Sequence, residues 1–421
     1  MGKINNIFKG DKVIWMIFFF LCVISIVEVF SASSALTYKK GNYMSPIIYH
    51  TSVLAMGFVI MVIILNVKCK YFKVFTLPML ILSLILLVCV LAFGQTTNGA
   101  NRWMSFLGIQ FQPSEIAKGA MILAEAQILS TMQTENGCDR RAFGFILFVA
   151  AFIVLPISVE NLSTAGLLSI VVIMMMVVGR VPMTQVGKLL GFFALLGAIG
   201  LSVVMLFGHA QSPTPEVHEV GGKPVVEEVA QQKKPSALDK VFHRADTWKS
   251  RINKFISHKK ITPEEFDLDK DAQVGHANIA IATSNVIGKG PGNSVERDFL
   301  SQAFSDFIYA IIIEEMGIEG AFIVVLLYVV LLFRTGIIAS RCENNFPAFL
   351  AMGIALLLTT QAIFNMMVAV GLAPVTGQPL PLISKGGTST IINCAYLGVI
   401  LSVSRSAKKR DSKKEVKAAV A

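Results

Sequence analysis

The sequence is poor in charge. Only 15% of its 421 residues are Asp, Glu, Lys or Arg, whereas 54% are hydrophobic, and the mean hydropathy is +0.65. A soluble domain of this length needs a more charged surface, so a water-facing globular fold is excluded. Tryptophan (3) and tyrosine (7) are scarce beside phenylalanine (29), a balance that suits lipid-facing packing. The six cysteines, Cys22, Cys69, Cys89, Cys138, Cys342 and Cys394, are scattered and form no CxxC. Their spacing indicates neither a zinc site nor a disulfide framework. There is no internal repeat. The net charge of +10 sits in short segments beside apolar runs. It therefore reads as membrane topology, with no nucleic acid as partner.

What is there comes in blocks. Apolar runs occupy about 13–33, 46–66, 72–94, 115–133, 142–159, 163–180, 187–208, 306–333, 347–371 and 388–405. Roughly 20 such residues cross a bilayer. The expectation is an all-α polytopic membrane protein of about ten transmembrane helices in a single domain spanning 1–421. The first run is too long for a signal-peptide core and reads as a retained helix. Basic residues such as Lys9, Lys12, Lys68, Lys70, Arg140, Arg141, Arg180, Arg334 and Arg341 alternate with base-poor loops. The positive-inside tendency then places both termini in the cytoplasm, with a basic tail at 406–421.

A large extracytoplasmic loop, 209–305, separates the seventh and eighth spans. Its first part, 211–236, is rich in Pro, Glu, Gln and Lys without periodicity, the composition of a flexible segment. The next part, 237–272, has the apolar spacing of amphipathic surface helices.

Four motifs stand out. Asn101-Arg102-Trp103 is followed by Gln112-Pro113-Ser114-Glu115-Ile116-Ala117-Lys118. Ser114 is placed to cap a helix, and Glu115 and Lys118 share one helical face. An interfacial anchor with an ordinary ion pair is one reading; a phosphate or headgroup contact by Arg102 and Lys118 is the other. Ser305-Asp306-Phe307 opens the eighth span, where a cap role is the plain alternative for Ser305 or Asp306. Glu314 and Glu315 fall about 12–14 Å further along that helix at 1.5 Å per residue. Two adjacent carboxylates at that depth are costly, so they should face protein, water or a cation.

The third motif, Gly371 to Ser389, holds Pro374, Thr376, Gly377, Pro381, Ser384, Lys385, Gly386 and Gly387. Irregular apolar backbone at membrane depth needs burial in protein or a cavity to line. Lys385 with the two glycines could hold an anion; a stiff re-entrant turn is the alternative. The fourth, Gly288-Lys289-Gly290-Pro291-Gly292-Asn293-Ser294, lacks the Walker spacing and taken alone is a flexible loop. Together the motifs suggest a single outer vestibule lined by Arg102, Glu115, Lys118, Lys289, Asp306 and Lys385, suited to a phosphate-bearing lipid or a sugar.

The stretches NRWMSFLGIQFQPSEIAK, SDFIYAIIIEEMGIEGA and GLAPVTGQPLPLISKGGTS, in that order, resemble the signatures of the SEDS family of bacterial peptidoglycan polymerases. The resemblance covers most of the chain, apart from the 209–240 insertion and the two tails. GKGPGNS is similar to the FtsW-like division branch rather than the elongation branch. Two departures matter. Glu160-Asn161-Leu162-Ser163-Thr164 stands where the family usually has Pro-Asp-hydrophobic-Gly, and Lys385 stands where Tyr is common.

The resemblance implies a glycosyltransferase that polymerises lipid II during septal cell-wall synthesis in the bacterial cytoplasmic (inner) membrane. It implies Asp306 as the catalytic residue, acting as general base or as ligand of a divalent cation, magnesium or manganese, with no organic cofactor. It implies substrate contacts by Arg102, Trp103, Gln112, Ser114, Glu115, Lys118, Lys289, Asn293, Ser294, Glu314, Glu315 and the residues of the third motif. It also implies a class B penicillin-binding (FtsI-like) transpeptidase and other divisome proteins as partners. A lipid II flippase and a non-catalytic divisome scaffold are the competing functions.

Overall fold

The computed structural model describes residues 8–38, 44–97, 100–106, 109–135, 137–207, 219–220, 223–224, 272–300 and 303–420. By packing, the chain divides into two units. One comprises Met1–Val186 with Asp267–Ala421, and the other Gly187–Phe266. The segment 211–236 and the stretch 237–271 lie outside the described residues, apart from two short strands, Glu219–Val220 and Lys223–Pro224.

All ten apolar runs fold as helices. They are α1 (Lys12–Tyr38), α2 (Ser45–Asn66), α3 (Cys69–Phe93), α4 (Pro113–Thr131), α5 (Arg140–Glu160), α6 (Leu162–Val178), α7 (Met183–Phe207), α9 (Ile308–Ser340), α10 (Asn345–Ala369) and α11 (Thr388–Val420). Among the described residues there is one further helix, α8 (Ala272–Thr283), which the apolar runs do not predict. Seven of these (α1, α2, α3, α5, α9, α10 and the apolar part of α11) are long and apolar enough to cross a membrane. The molecule is thus an all-α multi-pass membrane protein. The helices α6 and α7 supply shorter apolar stretches. In α4, Glu115, Lys118 and Glu125 interrupt the apolar sequence, and all three are buried. This helix faces protein rather than lipid.

Helix ends follow local chemistry. Asp139 caps α5 by accepting from Arg141 N at 2.8 Å. Asn161 caps α6 through Thr164 N at 3.3 Å. At α4 the expectation fails. The N-cap is Gln112, Pro113 occupies the first turn, and the Ser114 hydroxyl is buried without a hydrogen-bond partner. Proline at the first helical position needs no N–H acceptor, so the start forms without a side-chain cap.

Between α3 and α4 the chain forms a three-stranded antiparallel sheet, β1 (Gln95–Thr97), β2 (Ala100–Phe106) and β3 (Ile109–Phe111). The helix α2 lies along α11, where Gly57 and Gly398 allow close approach. A Cβ on Gly57 would come within 2.7 Å of Cys394 Sγ, and one on Gly398 within 2.8 Å of the Met61 carbonyl. Small residues at helix interfaces are how membrane helices gain packing when lipid is as apolar as the side chains. The helices α4 and α10 are largely buried, and α10 carries Gln361 and Asn365, which face the site.

Candidate active site

The expected single vestibule resolves into two clusters, one on the first half of α9 and one on the turn just before it. The first surrounds Glu314 and Glu315, which are fully buried. They face protein, in the form of the glycine-rich segment 288–297 folded over them. Lys289 Nζ lies 2.6 Å from Glu314 Oε1, Val295 N donates to that oxygen at 3.1 Å, and Ser294 Oγ donates to Oε2. Glu315 accepts from Gly292 N at 2.9 Å, from Ser294 N at 3.2 Å, and from the Ser31 hydroxyl of α1. Arg297 Nη1 in turn donates to Ser31 Oγ at 2.9 Å.

The segment is therefore a carboxylate clamp, and the reading of a flexible loop is corrected. Backbone N–H groups and a cation satisfy charges that would otherwise be expensive at this depth. Its glycines are required. Gly317 interrupts the helical backbone of α9 with φ 69°, and Gly288 (φ 82°) packs directly on that kink. A Cβ on Gly288 would sit 2.3 Å from the Glu315 carbonyl oxygen.

The second cluster surrounds Asp306. This residue lies two positions before α9, whose N-cap is Phe307 with no side-chain cap, so the capping role is not the one realised. Three consecutive carbonyls hold this turn in place. Phe304 O accepts from Lys385 N at 2.9 Å, Ser305 O from Ser384 Oγ at 2.6 Å, and Asp306 O from Asn365 Nδ2 at 3.0 Å. The Ser305 hydroxyl donates to the Asp306 carboxylate at 3.0 Å. Two of those donors come from the third sequence motif, the irregular chain between α10 and α11.

From Gln378 to Ser384 that connection is mostly buried, as irregular backbone at membrane depth must be. Thr376, Pro381 and Ser384 are buried, whereas Pro374 and Gly377 are exposed. Tyr328 hydrogen-bonds to the Pro381 carbonyl, and Ser25 donates to the Ile383 carbonyl at 2.7 Å. Gln361 and Asn365, one turn apart on α10, hold the near end by donating to Pro379 O (3.1 Å) and Gln378 O (2.7 Å). Gly386 and Gly387 lead into α11, where Thr388 Oγ1 donates to Gln110 O at 3.0 Å and ties the connection to β3.

Two cations proposed to line an open cavity are committed elsewhere. Lys118 is fully buried, 2.8 Å from Glu115 Oε1 and 2.8 Å from Gln361 Oε1. Lys289 is held by Glu314. Each ammonium is neutralised at short range; Lys118 lies inside the protein, whereas Lys289 remains partly exposed beside Glu314. Asn293 hydrogen-bonds within the clamp to Lys289 O, and Ser294 is consumed by the two carboxylates. Lys385 differs. Its Nζ lies 5.0 Å from the Phe304 ring centroid, in cation–π range, and burial lowers its pKa. Trp103 and Gln112 are half-buried, and Arg102 lies in β2.

Several residues escaped the sequence reading. Asn365, Gln361, Gln378 and Ser31 are single polar residues inside apolar runs, and nothing local distinguishes them from ordinary helix polarity. Glu28 in α1 and Glu125 in α4 are fully buried carboxylates with no hydrogen-bond partner; a charge inside an apolar run was the available signal. At the departure from the Pro-Asp pattern, Glu160 is buried beside the Asn161 cap, and Gln378 Nε2 donates to Thr164 Oγ1 at 2.7 Å. Among the described residues no group of three His, Cys, Asp or Glu is arranged to hold a metal ion.

Comparison with known proteins agrees with this architecture. The chain is 29% identical over 400 residues to a probable peptidoglycan glycosyltransferase FtsW from Geobacter sp. (strain M18), covering 94% of this chain and 96% of that one. It is 28% identical over 352 residues to the peptidoglycan glycosyltransferase MrdB of Escherichia coli (strain K12), covering 83% of each. Its fold matches a chain of a peptidoglycan synthase complex with a TM-score of 0.69 at 22% identity, covering 94% of this chain and 98% of that one. It also matches the rod shape determining protein RodA of Thermus thermophilus with a TM-score of 0.61 at 21% identity, covering 94% and 97%. The profile of the FtsW/RodA/SpoVE cell cycle proteins matches residues 11–409, and the chain belongs to that family.

Proposed function

We propose that this protein is a peptidoglycan glycosyltransferase that polymerises lipid II into glycan strands during cell division. The observation that carries the reading is the fixed placement of Asp306. Its turn is pinned by three hydrogen bonds, two from the connection between α10 and α11 and one from Asn365 of α10. Backbone held this firmly beside a single carboxylate is what positioning a reacting group requires. The names carried by relatives of similar length agree with it.

In the reaction, the 4-hydroxyl oxygen of one lipid II disaccharide bonds to the anomeric carbon of the growing strand. The bond from that carbon to the diphosphate breaks, and undecaprenyl diphosphate leaves with the electron pair. The hydroxyl proton must go to a base, and in this reading Asp306 accepts it. In the alternative role, Asp306 would hold magnesium or manganese, which supplies charge neutralisation for the leaving diphosphate. Lys118 and Lys289 are paired with carboxylates, and Lys385 is the cation that this reading assigns to the diphosphate. Lys385 adjoins the pinned turn through its own backbone N–H.

The distribution of Lys and Arg supports cytoplasmic termini, with the Asp306 end on the outer face of the cytoplasmic membrane. The partners in this reading are lipid II, a class B penicillin-binding transpeptidase and other divisome proteins, at the septum. The test is polymerisation of labelled lipid II by the purified chain in detergent, with and without the transpeptidase. Wild type and Asp306→Ala are compared, with divalent cation and then with chelator. Strands from wild type only are expected. Loss of activity with chelator assigns the cation role, and its retention assigns the base role. No strands under any condition, or equal strands from both proteins, would refute the polymerase reading in favour of a flippase or scaffold.

A further inference from the structure

Asn365 occupies a position that the reaction scheme above does not use. It lies on α10, is 1% exposed, and its side-chain nitrogen has two N–H groups. Both are committed to backbone carbonyls from different parts of the chain. One reaches Asp306 O at 3.0 Å and the other Gln378 O at 2.7 Å. A single amide nitrogen thus ties the turn before α9 to the connection between α10 and α11.

The other two bonds to the Asp306 turn, from Ser384 Oγ and Lys385 N, come from that same connection. Asn365 alone among these three donors belongs to a helix. Its neighbour one turn away, Gln361, holds Pro379 O and is itself held by Lys118. The series Glu115–Lys118–Gln361 therefore braces one carbonyl of the connection, and Asn365 braces the next carbonyl together with Asp306. Asparagine suits this position for a chemical reason. Leucine has a similar volume and no donor, and aspartate has a donor only when protonated.

We infer that Asn365 is a positioning residue for the reaction. It acts through the Asp306 peptide and holds the carboxylate at one height relative to the 378–385 connection. The inference rests on the assignment of Asp306 given above. Asn365 does not meet the reacting atoms, so its removal acts on kcat by misplacing Asp306 rather than on substrate affinity.

The test is lipid II polymerisation by the full chain in detergent, comparing wild type, Asn365→Leu, Asn365→Asp and Asp306→Ala. Asn365→Leu is expected to lower kcat by about 100-fold with KM within about twofold of wild type. The activity of Asn365→Asp relative to wild type is expected to rise as pH falls, because protonation restores one donor. A merely structural loss would instead lower the folded fraction and leave kcat per folded chain unchanged, which thermal unfolding of each variant in the same buffers checks. Asn365→Leu with wild-type kcat beside an inactive Asp306→Ala overturns the inference while leaving the polymerase reading intact, and so does a pH-independent loss in Asn365→Asp. An Asp306→Ala chain as active as wild type removes both.

A second readout does not use activity. In an Asp306→Cys chain, labelling of position 306 by a membrane-impermeant maleimide, read by mass spectrometry, should quicken about tenfold when Asn365→Leu is added, because the turn opens locally. Unchanged labelling would show that Asn365 does not hold the turn.

Discussion

Lys289 Nζ lies 2.6 Å from Glu314 Oε1, and the carboxylate that it meets is fully buried, whereas the lysine is 27% exposed. The asymmetry decides what each half of the pair does. Removing the lysine strands a charge that cannot reach water, while removing the carboxylate frees a lysine that can.

Lys289→Met is therefore expected to destabilise the fold by about 3–5 kcal/mol, the range for breaking a buried pair at one end. Adding Glu314→Gln should recover part of that loss. Thermal unfolding in detergent of both single variants and the double variant gives the coupling. A double variant less stable than Lys289→Met would contradict the assignment.

Gly288→Ala should unseat the clamp. The new Cβ would meet backbone rather than a flexible side chain, 2.3 Å from the Glu315 carbonyl oxygen, at a positive φ. Overpacking of this kind costs about 1–3 kcal/mol, and the left-handed backbone about 1–2 more. Limited proteolysis within 285–300 should quicken together with a lower unfolding temperature. Gly292→Ala is the control: its positive φ is similar, yet a Cβ there meets nothing within 4 Å, so its effect should be smaller.

Asp11, just before α1, forms an ion pair with Arg334 at 2.7 Å. Burial raises its pKa, but the Arg334 hydrogen bond, the Val13 and Ile14 amides and the Arg334 charge outweigh that and leave it below the ordinary carboxylate value. A depressed folded-state pKa means that the pair stabilises the fold above the unfolded pKa of about 3.9, and that this contribution is lost as pH falls through the folded pKa. The pair is partly exposed, so the gain is about 1 kcal/mol or less. The stability difference between wild type and Asp11→Asn should be flat above about pH 4 and shrink below it. A difference that grows with acid would refute the pairing.

Lys385→Ala should raise KM for lipid II by about tenfold, the scale of one charge-assisted hydrogen bond, with a smaller change in kcat. Lys385→Arg should retain most of the affinity. Equal KM for wild type and Lys385→Ala would remove Lys385 from diphosphate binding.

Some of the site was legible in advance. Asp306, the adjacent Glu314 and Glu315 and the Pro/Gly connection stood out because charge and irregular backbone are conspicuous in an apolar sequence. The roles of Lys118 and Lys289 were misread for the same reason. A cation in a motif looks available until its partner is placed, and Gln361 lies 243 residues from the lysine that it receives. The glycines of 288–292 looked like flexibility. Their positive φ values instead allow backbone N–H groups to reach two carboxylates.

Periodicity and apolar length by themselves determined the helices, because a chain in lipid must satisfy its backbone hydrogen bonds within each segment. The ten runs needed no tertiary information to be found. Tertiary structure alone decided which polar groups meet. Asn365 and Asp306 are 59 residues apart, and Ser31 and Glu315 are 284 apart. Such contacts depend on how helices pack across the molecule, and buried donors choose their acceptors by proximity in space.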